Sequence, residues 1–212
     1  MLHKTALVVG ATGVVGRELV RQLCENPAYG KVIVWLRRTL PWTHAKLDTR
    51  LVDFQKIAMM PPEPVDEIYC ALGTTIKQAG SRAQFLQVDV QYPAAVGQWG
   101  RGAGVPRFLL VSAPGADTRS RLFYLRAKGQ AEQTLKDCGY QTLDIFHPPL
   151  IAGERVDRRL AERFAIALFR CLPHNWLASY RPMTGAQIAE RMIAVAQHQT
   201  HGVQLHRLRA NP

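Results

Sequence analysis

The sequence predicts an α/β domain with a doubly wound parallel sheet and helices on both faces. Three observations support this fold: a glycine-rich turn follows the first apolar run, short apolar runs alternate with helical periodicity, and 47% of the 212 residues are apolar, which is enough for a buried core. Parallel strands need crossover connections, and these are usually helical. The alternation therefore predicts a sheet that is covered on both sides.

Short apolar runs predict the strands, and apolar residues at three- and four-residue spacing predict the helices. Six strands are expected in the first 150 residues, at 6–9, 32–35, 49–52, 67–72, 108–111 and 142–146. Helices are expected at 14–23, 83–88, 92–101 and 123–136. This order places a helix between most pairs of strands, as a doubly wound sheet requires.

The chain becomes more helical after residue 150. A helix is expected at 159–170, and another begins after Thr184, which has the spacing of a capping box with Gln187. A last edge strand is expected at 203–208. These residues are too few for an independent domain, so we expect one domain over 1–212, with a cofactor-binding core at 1–150 and a small C-terminal lid and edge elements at 151–212.

Composition and charge narrow the classes of function. The net charge of +11 comes from dispersed Lys and Arg without a nucleic-acid motif, so no nucleic-acid partner is expected. The four cysteines form no CxxC pair and have no zinc-ligand spacing, so we expect no metal site. No apolar run approaches the ~20 residues of a membrane span, and the amino end lacks signal-peptide features. We therefore expect no membrane partner and a cytoplasmic location.

The first chemical motif is a turn with three glycines, directly after the first predicted strand. Glycines at 10, 13 and 16 permit a tight turn, and the helix that follows presents free N–H groups to a phosphate. This arrangement predicts a Rossmann-like fold that binds the pyrophosphate of a dinucleotide. The predicted contacts are Gly10, Thr12, Gly13, Val14, Val15 and Gly16.

Arg37 and Arg38 follow the second predicted strand, where dinucleotide-binding folds select their cofactor. An acidic residue at this point binds the ribose hydroxyls of NAD, whereas a guanidinium pairs with the 2′-phosphate of NADP. The sequence has no Asp or Glu there. It predicts NADP(H) in preference to NAD(H), with an ordinary exposed arginine pair as the alternative.

Ser112, Tyr124 and Lys128 are the predicted catalytic residues. Tyr124 and Lys128 share a helix face, and a nearby cation lowers the pKa of a phenol from about 10. Tyr124 would exchange a proton with a substrate carbonyl or hydroxyl, Lys128 would also hold the nicotinamide ribose, and Ser112 would orient the substrate oxygen. Ser120, just before Tyr124, competes with Ser112 for this role.

Other strand ends are expected to contact the cofactor. Asp53, after the third strand, would touch the adenine, or would be an ordinary loop aspartate. Leu72, Gly73 and Thr74, in the turn after the fourth strand, would flank the ribose and pyrophosphate. The backbone of Pro148 and Leu150, after the sixth strand, would meet the nicotinamide carboxamide. His147 is expected to be a packed or hydrogen-bonded histidine rather than an acid–base catalyst.

Together these motifs resemble the atypical short-chain dehydrogenases/reductases related to the human Tat-interacting oxidoreductase. Bacterial relatives of that group are usually labelled nucleoside-diphosphate-sugar epimerases or NAD(P)-binding proteins. The resemblance implies a Rossmann fold, NADPH binding and catalytic positions for Ser112, Tyr124 and Lys128, but no particular substrate. The motifs that support it are the glycine turn at 10–16, residues 70–75, 111–117 and 123–129, and Leu172-Pro173 before Trp176.

The chain departs from this group at two positions, and from many short-chain dehydrogenases at a third. Leu36 stands where a small residue is usual, and His147 stands where an arginine is usual. The helix asparagine of many short-chain dehydrogenases has no clear match, and Asp89 lies nearest to its place. The fine structure of the cofactor pocket and the proton relay are therefore expected to differ from those of the group.

The expected function is an NADP(H)-dependent oxidoreductase that acts on a small carbonyl or alcohol. One alternative is a nucleotide-sugar epimerase or dehydratase, for which the residues beyond Pro149 are few. The other is a non-catalytic protein that senses NADPH and presents a changed surface to a partner. A protein partner or a homodimer is compatible with each of these functions.

Overall fold

A seven-stranded, all-parallel sheet lies at the centre of the computed structural model, which describes residues 3–152 and 182–210. The strands are β1 (Lys4–Val9), β2 (Tyr29–Leu36), β3 (Leu47–Leu51), β4 (Glu67–Cys70), β5 (Arg107–Val111), β6 (Thr142–His147) and β9 (Gly202–Arg207). Their order is β3-β2-β1-β4-β5-β6-β9. The order reverses between β1 and β4, which is where open α/β sheets form a ligand crevice.

Helices cover both faces of this sheet. Those in the described residues are α1 (Val14–Glu25), α2 (Ile76–Ala79), α3 (Arg82–Leu86), α4 (Tyr92–Gly102), α5 (Phe123–Asp137) and α6 (Gly185–Ala196), with a π-helical turn at Gln87–Gln91 and a 3-10 turn at Ile57–Met59. One core cluster joins α1 and α6 to one sheet face, and a second joins α4 and α5 to the other. The predicted Rossmann-like fold is confirmed.

Alternation along the central strands explains the two cores. Ala6 and Val8 of β1 belong to one cluster, whereas Leu7 and Val9 belong to the other, and all four are fully buried. The strands of the first 150 residues overlap the apolar runs that predict them, and the largest shift is at β2, which begins three residues early, at Tyr29. The hydroxyl of Tyr29 is buried and donates to Glu67 at 2.6 Å, a contact that no local pattern reveals.

The described part of the expected C-terminal lid is built into the domain. Thr184 and Gln187 form the predicted capping box, α6 packs beside α1, and β9 pairs with β6 at the edge of the sheet. A side chain at Gly185 would overlap the backbone of Val14, so α6 begins directly against the first turn of α1. A short parallel pair, β7 (Ile151–Ala152) with β8 (Met183–Thr184), precedes α6. The predicted helix at 159–170 and Trp176 lie outside the described residues.

Candidate functional site

The glycine turn joins β1 to α1 at the carboxyl edge of the sheet. A Cβ at Gly10 would overlap the Ala71 carbonyl, and a Cβ at Gly16 would overlap the Gly10 carbonyl, so both positions require glycine. Gly13 caps α1 without a side-chain hydrogen bond, and the first turn contains no acidic residue. The N–H groups at this helix end therefore remain available to a phosphate, which fits the pyrophosphate of a dinucleotide.

The ends of β2 and β3 lie on the same edge of the sheet as this turn. Arg37 and Arg38 are exposed directly after β2, the neighbour of β1. Their guanidinium groups are suited in charge and geometry to bind a phosphate. The carboxylate of Asp53 accepts a hydrogen bond from the Gln55 amide at 3.0 Å and lies 3.9 Å from Lys56 Nζ. Asp53 thus stabilises its own turn.

The turn after β4 packs against the glycine turn. The nearest backbone to Gly10 is that of Ala71 and Leu72. The Thr74 amide donates to Asp89 Oδ2 at 2.8 Å. A Cβ built on Gly73 would lie 3.6 Å from Asp89 Oδ1 and 3.8 Å from Lys128 Nζ. The crevice between β1 and β4 is therefore bordered by two glycine turns, with a buried ion pair directly behind the second.

Tyr124 and Lys128 lie on one face of α5, near its beginning. Lys128 is buried, and its Nζ is 2.7 Å from Asp89 Oδ1. The Tyr124 ring packs on Phe85, with 6.0 Å between ring centroids. The ammonium of Lys128 and the phenol of Tyr124 are thus brought together at the carboxyl edge, as their spacing predicts.

The predicted lowering of the tyrosine pKa is wrong in its net direction. Burial raises the pKa of Tyr124, the positive charge of Lys128 lowers it, and the negative charge of Asp89 raises it again, so the net shift is upward. Burial also tends to lower the pKa of Lys128, but the negative charge of Asp89 and its hydrogen bond outweigh this and raise it. At neutral pH the site therefore contains a neutral phenol and an ammonium.

Ser112 follows β5 and belongs to a buried hydrogen-bonded cluster with Glu132 and His147. Ser112 Oγ donates to Glu132 Oε1 at 2.5 Å, and His147 Nε2 lies 2.7 Å from the same oxygen. The expectation of a hydrogen-bonded His147 is confirmed. A hydroxyl has one proton to donate and two lone pairs, so Ser112 can only accept a hydrogen bond from a further partner.

Ser120, the competing serine, is turned into its own loop. Its Oγ accepts a hydrogen bond from the Leu122 amide at 3.2 Å, and its carbonyl accepts one from Arg126 at 2.7 Å. This loop lies against α5, because a Cβ at Gly129 would overlap the backbone of Asp117. Of the two serines, Ser112 is the one that lies at the end of a central strand.

The last predicted contacts follow β6. Pro148 is buried, and the Leu150 carbonyl accepts a hydrogen bond from the Met183 amide at 2.9 Å as part of the β7–β8 pair. Both residues lie beyond the carboxyl end of β6, and β6 pairs with β5, the strand that precedes Ser112.

Sequence reasoning missed Glu132 altogether and left Asp89 without a function. Glu132 was detectable, because it is separated from Lys128 by four residues and from Tyr124 by eight, a spacing that continues the same helix face. Asp89 was harder to detect, because the π-helical turn at Gln87–Gln91 shifts the helical periodicity around it.

The family model of the NAD dependent epimerase/dehydratase family matches residues 6–137, more than half of the chain. The chain belongs to this family. The match covers the glycine turn, the turn after β4 and the helix face of Tyr124 and Lys128.

Two curated relatives confirm the resemblance that the motifs indicate. The rat protein HTATIP2 is 29% identical over 185 residues, which cover 85% of this chain and 76% of the rat protein. The mitochondrial protein fmp52 of Emericella nidulans is 34% identical over 166 residues, which cover 74% of this chain and 71% of the fungal protein. The chain is thus similar to proteins of this group over most of its length.

Solved structures share the fold at low sequence identity. MoeE5 in complex with UDP-glucuronic acid and NAD has a TM-score of 0.75 at 16% identity and covers 98% of this chain and 77% of its own. A short chain dehydrogenase family protein from Francisella tularensis has a TM-score of 0.70 at 16% identity, and the match covers 97% of this chain and 98% of that protein. These likenesses establish the Rossmann-like fold.

The expected cytoplasmic location is contradicted by the fungal relatives, which are named as mitochondrial proteins. The expectation depended on the lack of a signal peptide and of a membrane span, and neither feature distinguishes the cytoplasm from the mitochondrion. In the part of the chain that the structure describes, no helix is long and apolar enough to cross a membrane.

Proposed function

We propose that the protein is an NADP(H)-dependent oxidoreductase of the short-chain dehydrogenase type that acts on a small carbonyl or alcohol. The main support is the position of the Tyr124–Lys128 pair behind Gly73, where a Cβ would lie only 3.8 Å from Lys128 Nζ. The pair therefore borders the crevice between β1 and β4, in which this fold binds dinucleotides. The family match agrees with this class of chemistry.

In this proposal the cofactor lies across the carboxyl edge of the sheet. The uncapped end of α1 would bind its pyrophosphate, Arg37 and Arg38 its 2′-phosphate, and Lys128 its nicotinamide ribose. When bound, the nicotinamide would supply or accept a hydride. The remaining proposed cofactor contacts are Gly10, Thr12, Gly13, Val14, Val15, Gly16, Asp53, Leu72, Gly73, Thr74, Pro148 and Leu150.

Tyr124 would transfer the proton. Since the pKa of Tyr124 is raised above its ordinary value of about 10, the phenol is protonated at neutral pH and is ready to donate to a carbonyl oxygen. Lys128 would stabilise the phenolate that remains. Ser112, whose own proton is donated to Glu132, would accept a hydrogen bond from the hydroxyl formed on the substrate. This arrangement suits carbonyl reduction at neutral pH.

A panel of small carbonyls with NADPH tests the catalytic part of the proposal. We expect turnover in the parent protein and a loss of about 10²-fold or more in Tyr124→Phe, with NADPH binding retained. Tyr140→Phe is the matched control, because it removes the hydroxyl of a different buried tyrosine, which donates to the Gly97 carbonyl of α4. Equal turnover in Tyr124→Phe and the parent would contradict the proposed role of Tyr124.

A nucleotide-sugar epimerase or dehydratase is the second candidate. The family match and the solved MoeE5 complex with UDP-glucuronic acid favour it. An epimerase would interconvert a UDP-sugar without net consumption of nicotinamide, which chromatography of the sugar products detects. Cofactor binding without turnover on either panel would instead favour the NADPH-sensing protein, for which a protein partner or homodimer stays a prediction.

A further inference from the structure

Asp89 connects three parts of the molecule through its carboxylate. It lies in the π-helical turn between α3 and α4 and is 1% exposed. Oδ1 is 2.7 Å from Lys128 Nζ on α5, and Oδ2 accepts a hydrogen bond from the Thr74 amide at 2.8 Å, in the turn after β4. A single buried carboxylate thus holds both the lysine of the site and the turn that borders the crevice.

Stability alone does not account for this arrangement. Removing a carboxylate and an ammonium from water is costly, and apolar residues of similar size often stabilise a protein at least as well as a buried ion pair. The π-helical turn adds a second cost, because it interrupts the helical hydrogen-bonding pattern, and such turns occur frequently at functional sites. Here the turn places Asp89 against Lys128 instead of continuing α3 directly into α4.

We propose that Asp89 is a positioning residue for the Tyr124–Lys128 pair, which fixes the Lys128 ammonium beside the Gly73–Thr74 turn and balances its charge. This inference rests on the proposed function, since it concerns the same site. Asp89 acts through Lys128 and through the Thr74 amide, and it need not touch the substrate.

The charges around Tyr124 determine in which direction its pKa should move when Asp89 is neutralised. Among the described residues, the charged or titratable groups that act on the pair are Asp89 from the π-helical turn and Cys70 from β4, and Arg82 from α3 lies over the neighbouring Phe123 ring at 5.1 Å. Lys128 favours the phenolate of Tyr124, and Asp89 disfavours it. Neutralising Asp89 leaves the positive charge of Lys128 unbalanced, so the pKa of Tyr124 should fall.

The test is a pH titration of tyrosinate absorbance in the free protein. Subtracting the same titration of a Tyr124→Phe variant isolates the signal of Tyr124, and the subtraction is repeated in an Asp89→Asn background. We expect Asp89→Asn to move the Tyr124 titration to lower pH by about one unit or more. An unchanged titration, or one that moves to higher pH, would overturn the inference.

This readout needs neither cofactor nor substrate, so it can succeed or fail independently of the proposed oxidoreductase activity. The matched control is Asp144→Asn, the same change in a buried ion pair with Arg107, which should leave the Tyr124 titration unchanged. Asp48→Asn, at a partly exposed ion pair, replaces it if Asp144→Asn does not fold.

Asp89→Asn also leaves a buried ammonium without its partner, which can prevent folding. The double variant Asp89→Asn, Lys128→Gln removes both charges and should then be more stable than the single variant, as a thermal unfolding curve measures. A double variant no more stable than Asp89→Asn would show that Asp89 does not act as the counter-charge of Lys128, and would overturn the inference.

Discussion

The two ends of the parallel sheet both contain buried ion pairs, but they differ in what surrounds them. At the amino end, Glu67 accepts hydrogen bonds from Lys4, Tyr29 and Tyr69. At the carboxyl end, the Asp89–Lys128 pair and the cluster of Ser112, Glu132 and His147 lie beside glycine turns or strand ends that border a crevice.

At the amino end, every hydrogen-bond donor of the Arg107 guanidinium is satisfied. Its five N–H donors all have partners: Asp144, the carbonyls of residues 195, 196 and 198, and the hydroxyl of Thr200. These contacts tie the end of α6 and the segment after it to β5 and β6. The amino-end network therefore stabilises the fold, whereas the carboxyl-end pairs border the crevice of the candidate site.

Breaking the amino-end network should give the largest loss of stability. Arg107→Met leaves Asp144 buried without its guanidinium, and we expect the free energy of unfolding to fall by about 3–5 kcal/mol in urea denaturation. NADPH affinity of the folded fraction should be unchanged. Arg50→Met is the control, because Arg50 pairs with Asp48 and Glu63 near the surface and should cost less than about 1 kcal/mol. A large loss of NADPH affinity in Arg107→Met would erase the distinction between the two ends.

Crowding the glycine turn should have a smaller effect on stability but a direct effect on binding. A Cβ at position 16 would overlap the Gly10 carbonyl, so Gly16→Ala should cost about 1–3 kcal/mol and weaken NADPH binding as the turn shifts. Gly102→Ala, at the end of α4, meets no atom within 4 Å and should be neutral or slightly stabilising. Full NADPH affinity in Gly16→Ala would argue against the pyrophosphate site.

The smallest of these effects should be the difference between Ser112→Ala and Ser120→Ala in unfolding free energy and turnover. Ser112→Ala removes a buried hydrogen bond to Glu132 and should cost about 1 kcal/mol, together with a loss of turnover. Ser120→Ala removes only a contact within its own loop and should change both quantities less. Unfolding curves and turnover on the same preparations measure the difference. A larger loss of turnover in Ser120→Ala would assign the substrate to Ser120 instead.

The fold was predictable because its signals are local. The strands of the first 150 residues appear as apolar runs, and the glycine turn and the capping box at Thr184 have fixed spacings. The early start of β2 was not predictable, because residues 29–31 lack an apolar pattern and Tyr29 is held by Glu67, which is distant in sequence.

The site was predictable only in part, for the same physical reason. Helical spacing places Tyr124 and Lys128 on one face, but the partners of their side chains come from other elements. Asp89 reaches Lys128 through the π-helical turn, and Ser112 donates to Glu132 on α5. The pKa of Tyr124 is raised because burial outweighs the nearby cation, and burial is a property of the assembled fold.

Cofactor selection by Arg37 and Arg38 is tested by a fluorescence titration with NADPH and NADH, on the parent protein and on the Arg37→Ala, Arg38→Ala double variant. We expect the parent to bind NADPH more tightly than NADH. In the double variant, NADPH affinity should fall by about tenfold or more while NADH affinity is retained, because only the 2′-phosphate contacts are lost. Binding of neither nucleotide to the parent protein would contradict the proposed NADP(H)-dependent activity.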